Sequence, residues 1–393
     1  MRINYSFYGM PLTGGIRTIV TLANELSSMG HNISITTIQR RAKFTVYIDK
    51  RVKVIEAQFP EVLKLFDKQT LIKTDGMLKT DLEIIQNELR DLGLEVYLDL
   101  NKNLADSIPD CDISACTFSL SAFGISRSSA GASKVYHMQH FEPYFFDDPY
   151  YKNMALESYR LPLKRISNSS WLHEKLKNDL GITSDKVTWG IDTDIFNTKK
   201  RCNERLSRVF DSKGNILYIV SLARMAKWKG LGDLLDALKI LKRTKPDLKI
   251  KLILFGGEFD SSEKAVKASP VETVYLKNLS DEELVYLYQN ADIIVTSSWY
   301  ESFPLPPLEA MACGGNVITT KYGVEDYAKN GVNSIIVEPQ NPKAIANAIE
   351  KLATDKGLIQ SIGKNGPKTA AKFRWETVAK RVLGLYTKYL EDI

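Results

Sequence analysis

Twice along its length this chain alternates short, almost uninterrupted apolar runs with stretches of helical spacing, and few folds accommodate that pattern. In the first half "RINYSFYG" reads as a strand and "IRTIVTLANELSSMG" as a helix closing on Gly30, followed by "NISITTI" as a second strand. "CDISACTF" and "KVYHMQH" read as later strands. From Tyr150 a longer helical stretch leads into "RISNSS" and a capped helix starting near Trp171. The second half restarts the alternation, with "NILYIVSLA", "LKIKLILFGG", "VETVYLK", "ADIIVTSS", "GNVITTK" and "SIIVEP" as strands. Runs apolar on both faces belong to buried parallel strands, because crossover helices cover both sides of such a sheet.

Repeated strand–helix units require parallel sheets joined by right-handed crossovers. Two such blocks in 393 residues imply an α/β chain of two Rossmann-like domains facing a central cleft. The boundary is expected in the polar, basic stretch 197–214, with residues 1–196 before it and 215–372 after it. Residues 373–393, beginning "FRWETVAKRVLGLYTKYL", have helical apolar spacing and are expected to form a terminal helix packed on the N-terminal domain. Between Phe59 and Leu104 the charged sequence supports no assignment.

Fifty-three Lys and Arg against 47 Asp and Glu leave a net charge of +6, too small a basic excess to argue for nucleic acid. It is compatible with peripheral contact at an acidic membrane surface. No apolar run approaches a membrane span, and "MRINYSFYGMPLTGG" lacks the h-region of a signal peptide, so a cytoplasmic location is expected. Cys111, Cys116, Cys202 and Cys313 have no metal-ligand spacing and read as small apolar fillers in a reducing compartment.

Four loops could hold phosphate. "PLTGGIRT" places Gly14 and Gly15 between the first strand and the first helix, where free N–H groups favour anions; "LFGG", with Gly256 and Gly257, is equally short, and a plain tight turn explains either. "SLARMAKWKG" delivers Arg224 and Lys229 to the carboxyl end of a strand, where a diphosphate would bind and where two solvated surface charges would look the same. "ESFPLPPLE" sets Glu301 and Glu309 around three prolines. Pro306 and Pro307 suit a helix start, placing Glu309 in the first turn, while Phe303 and Leu305 keep N–H groups for a phosphate. A glycosidase pair would have to flank one bond at about 5–9.5 Å, which a single loop does not guarantee.

The second half resembles the retaining, GT-B-fold glycosyltransferases of family 4, sharing their glutamate–seven residues–glutamate motif. The resemblance extends through "TGGIRTIVTLANELSSMGHNISITT", "SNSSWLHEKL", "GIDTDIF", "SLARMAKWKG", "DEELVYLYQNADIIVTSSWYESFPLPPLEAMACGG" and "GVNSIIVEP". It implies that Arg224 and Lys229 neutralise a donor diphosphate and that Glu301 contacts the transferred sugar. Backbone N–H groups around Phe303 to Leu305, a stretch that includes Pro304, would receive the distal phosphate, Glu309 the ribose hydroxyls, and Gly14 and Gly15 would line the cleft. His140 aligns with the family's active-site histidine, with His137 as the alternative. The family usually has glycine where this chain has Pro304, which removes a donor and fixes φ. "YHMQHFEPYFFDDPYY" with "ALESYR" further resembles a rhamnosyltransferase branch using dTDP-rhamnose; a UDP-sugar is the other candidate donor.

The resemblance thus implies retaining transfer from a nucleoside-diphosphate sugar, bound by the domain of residues 215–372, to a hydroxyl of a glycan, a lipid-linked glycan or another surface polysaccharide precursor, bound by the domain of residues 1–196. No resident cofactor and no metal are expected; of two D-x-D strings, Asp192–Asp194 resembles a family crossover and Asp110–Asp112 introduces a strand. A sugar-nucleotide epimerase of the same fold, a non-catalytic nucleotide-sugar-binding protein and a glycoside hydrolase are the competing readings.

Overall fold

A computed structural model describes residues 1–9, 14–39, 47–57, 94–210, 215–224, 226–256 and 259–393. The expectations for Gly257, for most of Phe59–Leu104 and for the last residues of the stretch ending at Gly214 lie outside them. The chain divides into two compact units, Met1–Gly190 with Trp375–Ile393, and Ile191–Arg374. The division falls at Gly190, so residues 191–196 and the described part of 197–214 count with the second unit. Where the chain enters and leaves that unit its two segments pair, Ile191 N donating to Phe373 O at 2.8 Å.

The first unit holds a seven-stranded sheet in the order β3-β2-β1-β4-β5-β6-β7. Its strands are β1 (Arg2–Gly9), β2 (Asn32–Gln39), β3 (Lys53–Glu56), β4 (Ile113–Cys116), β5 (Ser133–Met138), β6 (Lys164–Ser167) and β7 (Asp185–Lys186). The second holds a six-stranded sheet, β10-β9-β8-β11-β12-β13, from β8 (Ile216–Leu222), β9 (Lys249–Phe255), β10 (Glu272–Leu276), β11 (Ile293–Thr296), β12 (Val317–Thr320) and β13 (Ile335–Val337). Each named pairing in both sheets is parallel.

The local chemistry explains the boundaries. Helix Asp281–Asn290 opens with a reciprocal cap between Ser280 and Glu283. Helix Ser170–Leu180 opens on Ser169 and closes on Gly181, whose φ of +67° suits glycine. Helix Leu231–Thr244 buries Leu234, Leu238 and Leu241, at helical spacing, in one apolar cluster with Ile219 of β8, Leu252 of β9 and Ile349 of helix Pro342–Thr354. Burying each leucine stabilises the unit by roughly 1.5–3 kcal/mol.

The terminal helix runs Trp375–Glu391 and belongs to the first unit. Its buried Tyr386 Oη lies 3.0 Å from Tyr5 Oη on β1 and 2.6 Å from His137 Nε2 on β5. Tyr389 Oη donates to Asp185 at 2.6 Å. Its apolar face is therefore spent on packing. Among the described residues no helix is long and apolar enough to cross a membrane. Three cysteines are buried as expected of fillers; Cys202 is exposed, because it sits in a polar segment outside the sheets.

Candidate functional site

In the second sheet the strand order reverses between β8 and β11, which pair through Ile219–Ile293 and Ser221–Val295. Open α/β sheets bind ligands at the carboxyl ends of the strands flanking such a reversal, where two loops diverge. The loop after β8 carries Arg224 and Lys229, and the loop after β11 carries Glu301. Seventy-two residues apart in sequence, Lys229 Nζ and Glu301 Oε1 stand 2.6 Å apart, each side chain 17% exposed. Ser298 Oγ donates to the same carboxylate oxygen at 2.8 Å. Burial pulls the Lys229 ammonium below its ordinary pKa, with Glu301 opposing that shift and Arg224 adding to it. Lys229 and Glu301 form one half-buried polar unit with the exposed Arg224 beside it.

The two loops are zipped together. Trp299 N donates to Trp228 O at 2.7 Å, Ser297 Oγ to Gly230 O at 2.7 Å, and Trp299 Nε1 to Asp233 at 2.6 Å. Trp228 and Tyr300 stack with ring planes 6° apart, and Lys229 Nζ lies 3.9 Å from the Trp228 ring centre. Gly230 has φ +67°, and a Cβ there would stand 1.9 Å from Ser297 O, so no other residue fits. Gly323, after β12, supports Glu301 in the same way: a Cβ would meet Glu301 O at 2.3 Å.

Pro304 acquires a place. It is the N-cap of helix Leu305–Ala312, with φ −68° and ψ 124°, values proline adopts without strain. Its carbonyl accepts from the buried Tyr327 Oη at 2.8 Å, and Tyr327 joins Phe303 and Phe373 in an aromatic cluster. Of the four positions that open this helix, Pro304, Leu305, Pro306 and Pro307, only Leu305 has an N–H. The helix start is thus a poor anion cradle, and cationic side chains must carry more of any phosphate's charge. Because the helix begins at Leu305, Glu309 is its fifth residue, past the first turn where the sequence placed it, and it is buried to 8% exposure.

In the first unit the order reverses between β1 and β4. Gly14 and Gly15 open helix Gly14–Ser28 just beyond β1, and a Cβ on Gly15 would meet Gln139 Oε1 at 3.1 Å. Gln139 also accepts from Thr18 at 3.1 Å, tying the glycine turn to the loop after β5. His140 lies in that loop, buried, its ring centre 4.6 Å from Phe145 and 5.9 Å from Trp171. His137 belongs to the interior: it stacks on Trp189, bonds Tyr386, and burial pushes its pKa down to about 3. A neutral, enclosed imidazole pins the terminal helix.

Sequence reasoning missed Glu142, a carboxylate 1% exposed. It accepts from Ser119 N at 2.6 Å and Tyr136 Oη at 2.7 Å, while its own N–H reaches Tyr159 Oη at 2.8 Å. Tyr159 Oη in turn donates to His140 O at 3.1 Å. Burial raises the Glu142 pKa to about 7 against those hydrogen bonds. The only hint in the sequence is an acid inside the aromatic run "HFEPYFF".

The D-x-D strings serve the fold. Asp110 and Asp112 both pair with Arg2 at the amino end of β1, and Asp192 accepts from the N–H groups of Asp194 and Ile195.

Residues 203–369, inside the second unit, match the family model "Glycosyl transferases group 1". A D-inositol 3-phosphate glycosyltransferase of Corynebacterium urealyticum is 31% identical over 211 residues, 51% of this chain and 50% of that one. The chain spans about half the length of the curated relatives it matches. Among solved structures, a glycosyltransferase from Rickettsia africae superimposes with a TM-score of 0.73 at 20% identity, over 100% of this chain and 99% of that one. Anabaena HepE, crystallised with UDP and glucose, does so with a TM-score of 0.73 at 17% identity, over 99% and 100%. Two Rossmann-like units and whole-chain likeness to these structures converge on one architecture: the chain has the two-domain GT-B fold, and its second unit carries the match to glycosyl transferases group 1.

Proposed function

We propose that the protein transfers a sugar from a nucleoside-diphosphate donor to a hydroxyl of a glycan, a lipid-linked glycan or another surface polysaccharide precursor, with the anomeric configuration retained. The observation that carries this reading is the Lys229–Glu301 contact, which joins a cation and an acid from two strand ends at the sheet's reversal. Arg224 and Lys229 take the diphosphate's charge. Once Lys229 engages phosphate, Glu301, still held by Ser298, accepts hydroxyls of the transferred sugar. Leu305 N–H and, beside it, Phe303 N–H serve the distal phosphate, with Glu309 toward the ribose and His140 toward the sugar. The bond from the anomeric carbon to phosphate oxygen breaks as the bond to the acceptor oxygen forms on the same face. The acceptor's proton passes to the leaving phosphate, and the cations stabilise the charge that develops there.

The HepE complex with UDP and glucose supports a UDP-sugar, and the "YHMQHFEPYFFDDPYY" resemblance supports dTDP-rhamnose. The reading requires no metal and places the enzyme in the cytoplasm, with peripheral membrane contact where the acceptor is lipid-linked. Thermal-shift measurement against UDP-, dTDP- and GDP-sugars identifies the donor, because a ligand bound to the native state raises its stability. Acceptor-dependent release of nucleoside diphosphate in EDTA is the expected result. Conversion of donor without acceptor would replace the reading by an epimerase, and activity lost to EDTA and restored by Mg²⁺ would refute metal independence.

A further inference from the structure

Exposed aromatic side chains concentrate beside His140. Tyr144 is 40% exposed, Phe145 38% and Tyr150 51%, all within one seven-residue stretch. Their segment is fixed from beneath. Glu142 ties it to β5 and to the start of helix Ser119–Arg127, and Phe146 is buried against Phe118 and Tyr151. Asp148 caps helix Pro149–Ser158 by accepting from Tyr150 N at 2.9 Å. Lys175 Nζ sits 5.0 Å from the Tyr144 ring centre and 4.7 Å from that of Phe141, held by Asp179 at 2.7 Å. A segment anchored by a buried carboxylate and a buried phenylalanine, yet leaving three large rings partly exposed, is a built aromatic surface.

We propose that Tyr144, Phe145 and Tyr150, with the carboxylates of Asp147 and Asp148, form a platform for a neutral carbohydrate, the acceptor of the transfer reaction. This deepens the proposed function and rests on it. Pyranose rings present apolar C–H faces that stack on aromatic rings, and their hydroxyls donate to carboxylates. Residues 141–151 carry acids and no cation of their own, and Lys175, which lies over the Phe141 and Tyr144 rings, is paired with Asp179, whereas an anionic lipid surface selects basic clusters. Phe145 connects the platform to the site, because the same ring packs on His140 at 4.6 Å.

The test is saturation-transfer NMR on the full chain with methyl glycosides of glucose, galactose and rhamnose, with and without UDP. Phe145 is left intact because it supports His140. Tyr144→Ala/Tyr150→Ala should cut saturation transfer about tenfold, while Tyr144→Phe/Tyr150→Phe, which keeps both ring faces, should retain most of it. Both variants should keep the wild-type circular dichroism and UDP-induced thermal shift. No transfer to any of the glycosides, or equal transfer in the alanine variant, would overturn the platform. So would sedimentation with phosphatidylglycerol vesicles that the alanine variant loses, which would make this a membrane-contact surface. Loss of the UDP shift in the wild type would defeat the nucleotide-sugar reading alone, because the glycoside measurement without UDP judges the platform separately.

Discussion

The two sheets reverse strand order at equivalent places, yet the loops at those places carry opposite chemistry. In the second unit the strand ends deliver Arg224, Lys229 and Glu301, a charged group locked by hydrogen bonds. In the first they deliver glycines, Gln139 and a buried histidine, with aromatic rings outside and a carboxylate hidden beneath. Topology supplies two strand-order reversals, and side-chain charge distinguishes them: on the proposed reading one receives a diphosphate and the other a neutral partner.

The contrast can be broken at its charged end. Glu301→Ala should lower kcat by about 10²–10³-fold while nucleotide binding persists. Turnover like the wild type, read as acceptor-dependent UDP release, would remove Glu301 from the site. At the neutral end Glu142 predicts a pH effect. Its carboxyl is raised to about 7 in the folded protein from an ordinary 4.5. The folded state therefore holds a proton that the unfolded chain releases, and stability should fall as pH rises from 4.5 to 7, by on the order of 3 kcal/mol, then level off. Urea unfolding at pH 5 and pH 8 should show this loss in the wild type and not in Glu142→Gln.

Lys229→Met sharpens the comparison further. It removes the cation proposed to face phosphate and leaves Glu301 to Ser298 without the ammonium, so UDP should bind about 30-fold more weakly by calorimetry. Glycoside binding at the first unit should not change. Tyr386→Phe should cost roughly 1–3 kcal/mol in chemical unfolding, because His137 Nε2 and Tyr5 Oη lose a common partner inside the core. The smallest effect belongs to Pro304→Ala, which adds one N–H at the helix start. Stability should fall by about 0.4–1 kcal/mol and UDP affinity rise a few-fold at most.

Most strands were legible because apolar continuity marks burial on both faces. β3, β6 and β7 were not: "KVIE", "KRIS" and "DK" carry charge because two are edge strands and the third lies next to an edge. The site was legible as separate loops with residue types suited to phosphate and sugar. Their convergence was not, because strand adjacency is a property of the sheet. The sequence ranked His140 ahead of His137 by resemblance alone; in the structure β5 holds His137 against Trp189 and Tyr386, and the strand ends before His140. Pro304 looked anomalous until Tyr327, twenty-three residues on, proved to hold its carbonyl.

Local physics acting over a few residues determined the parallel α/β architecture, the caps and the residue types at the strand ends, and all of these could be read from the sequence alone. Tertiary structure decided which ends meet, which acids are buried and which histidine bonds the terminal helix. Those outcomes depend on contacts between residues tens to hundreds of positions apart, and no local pattern encodes them.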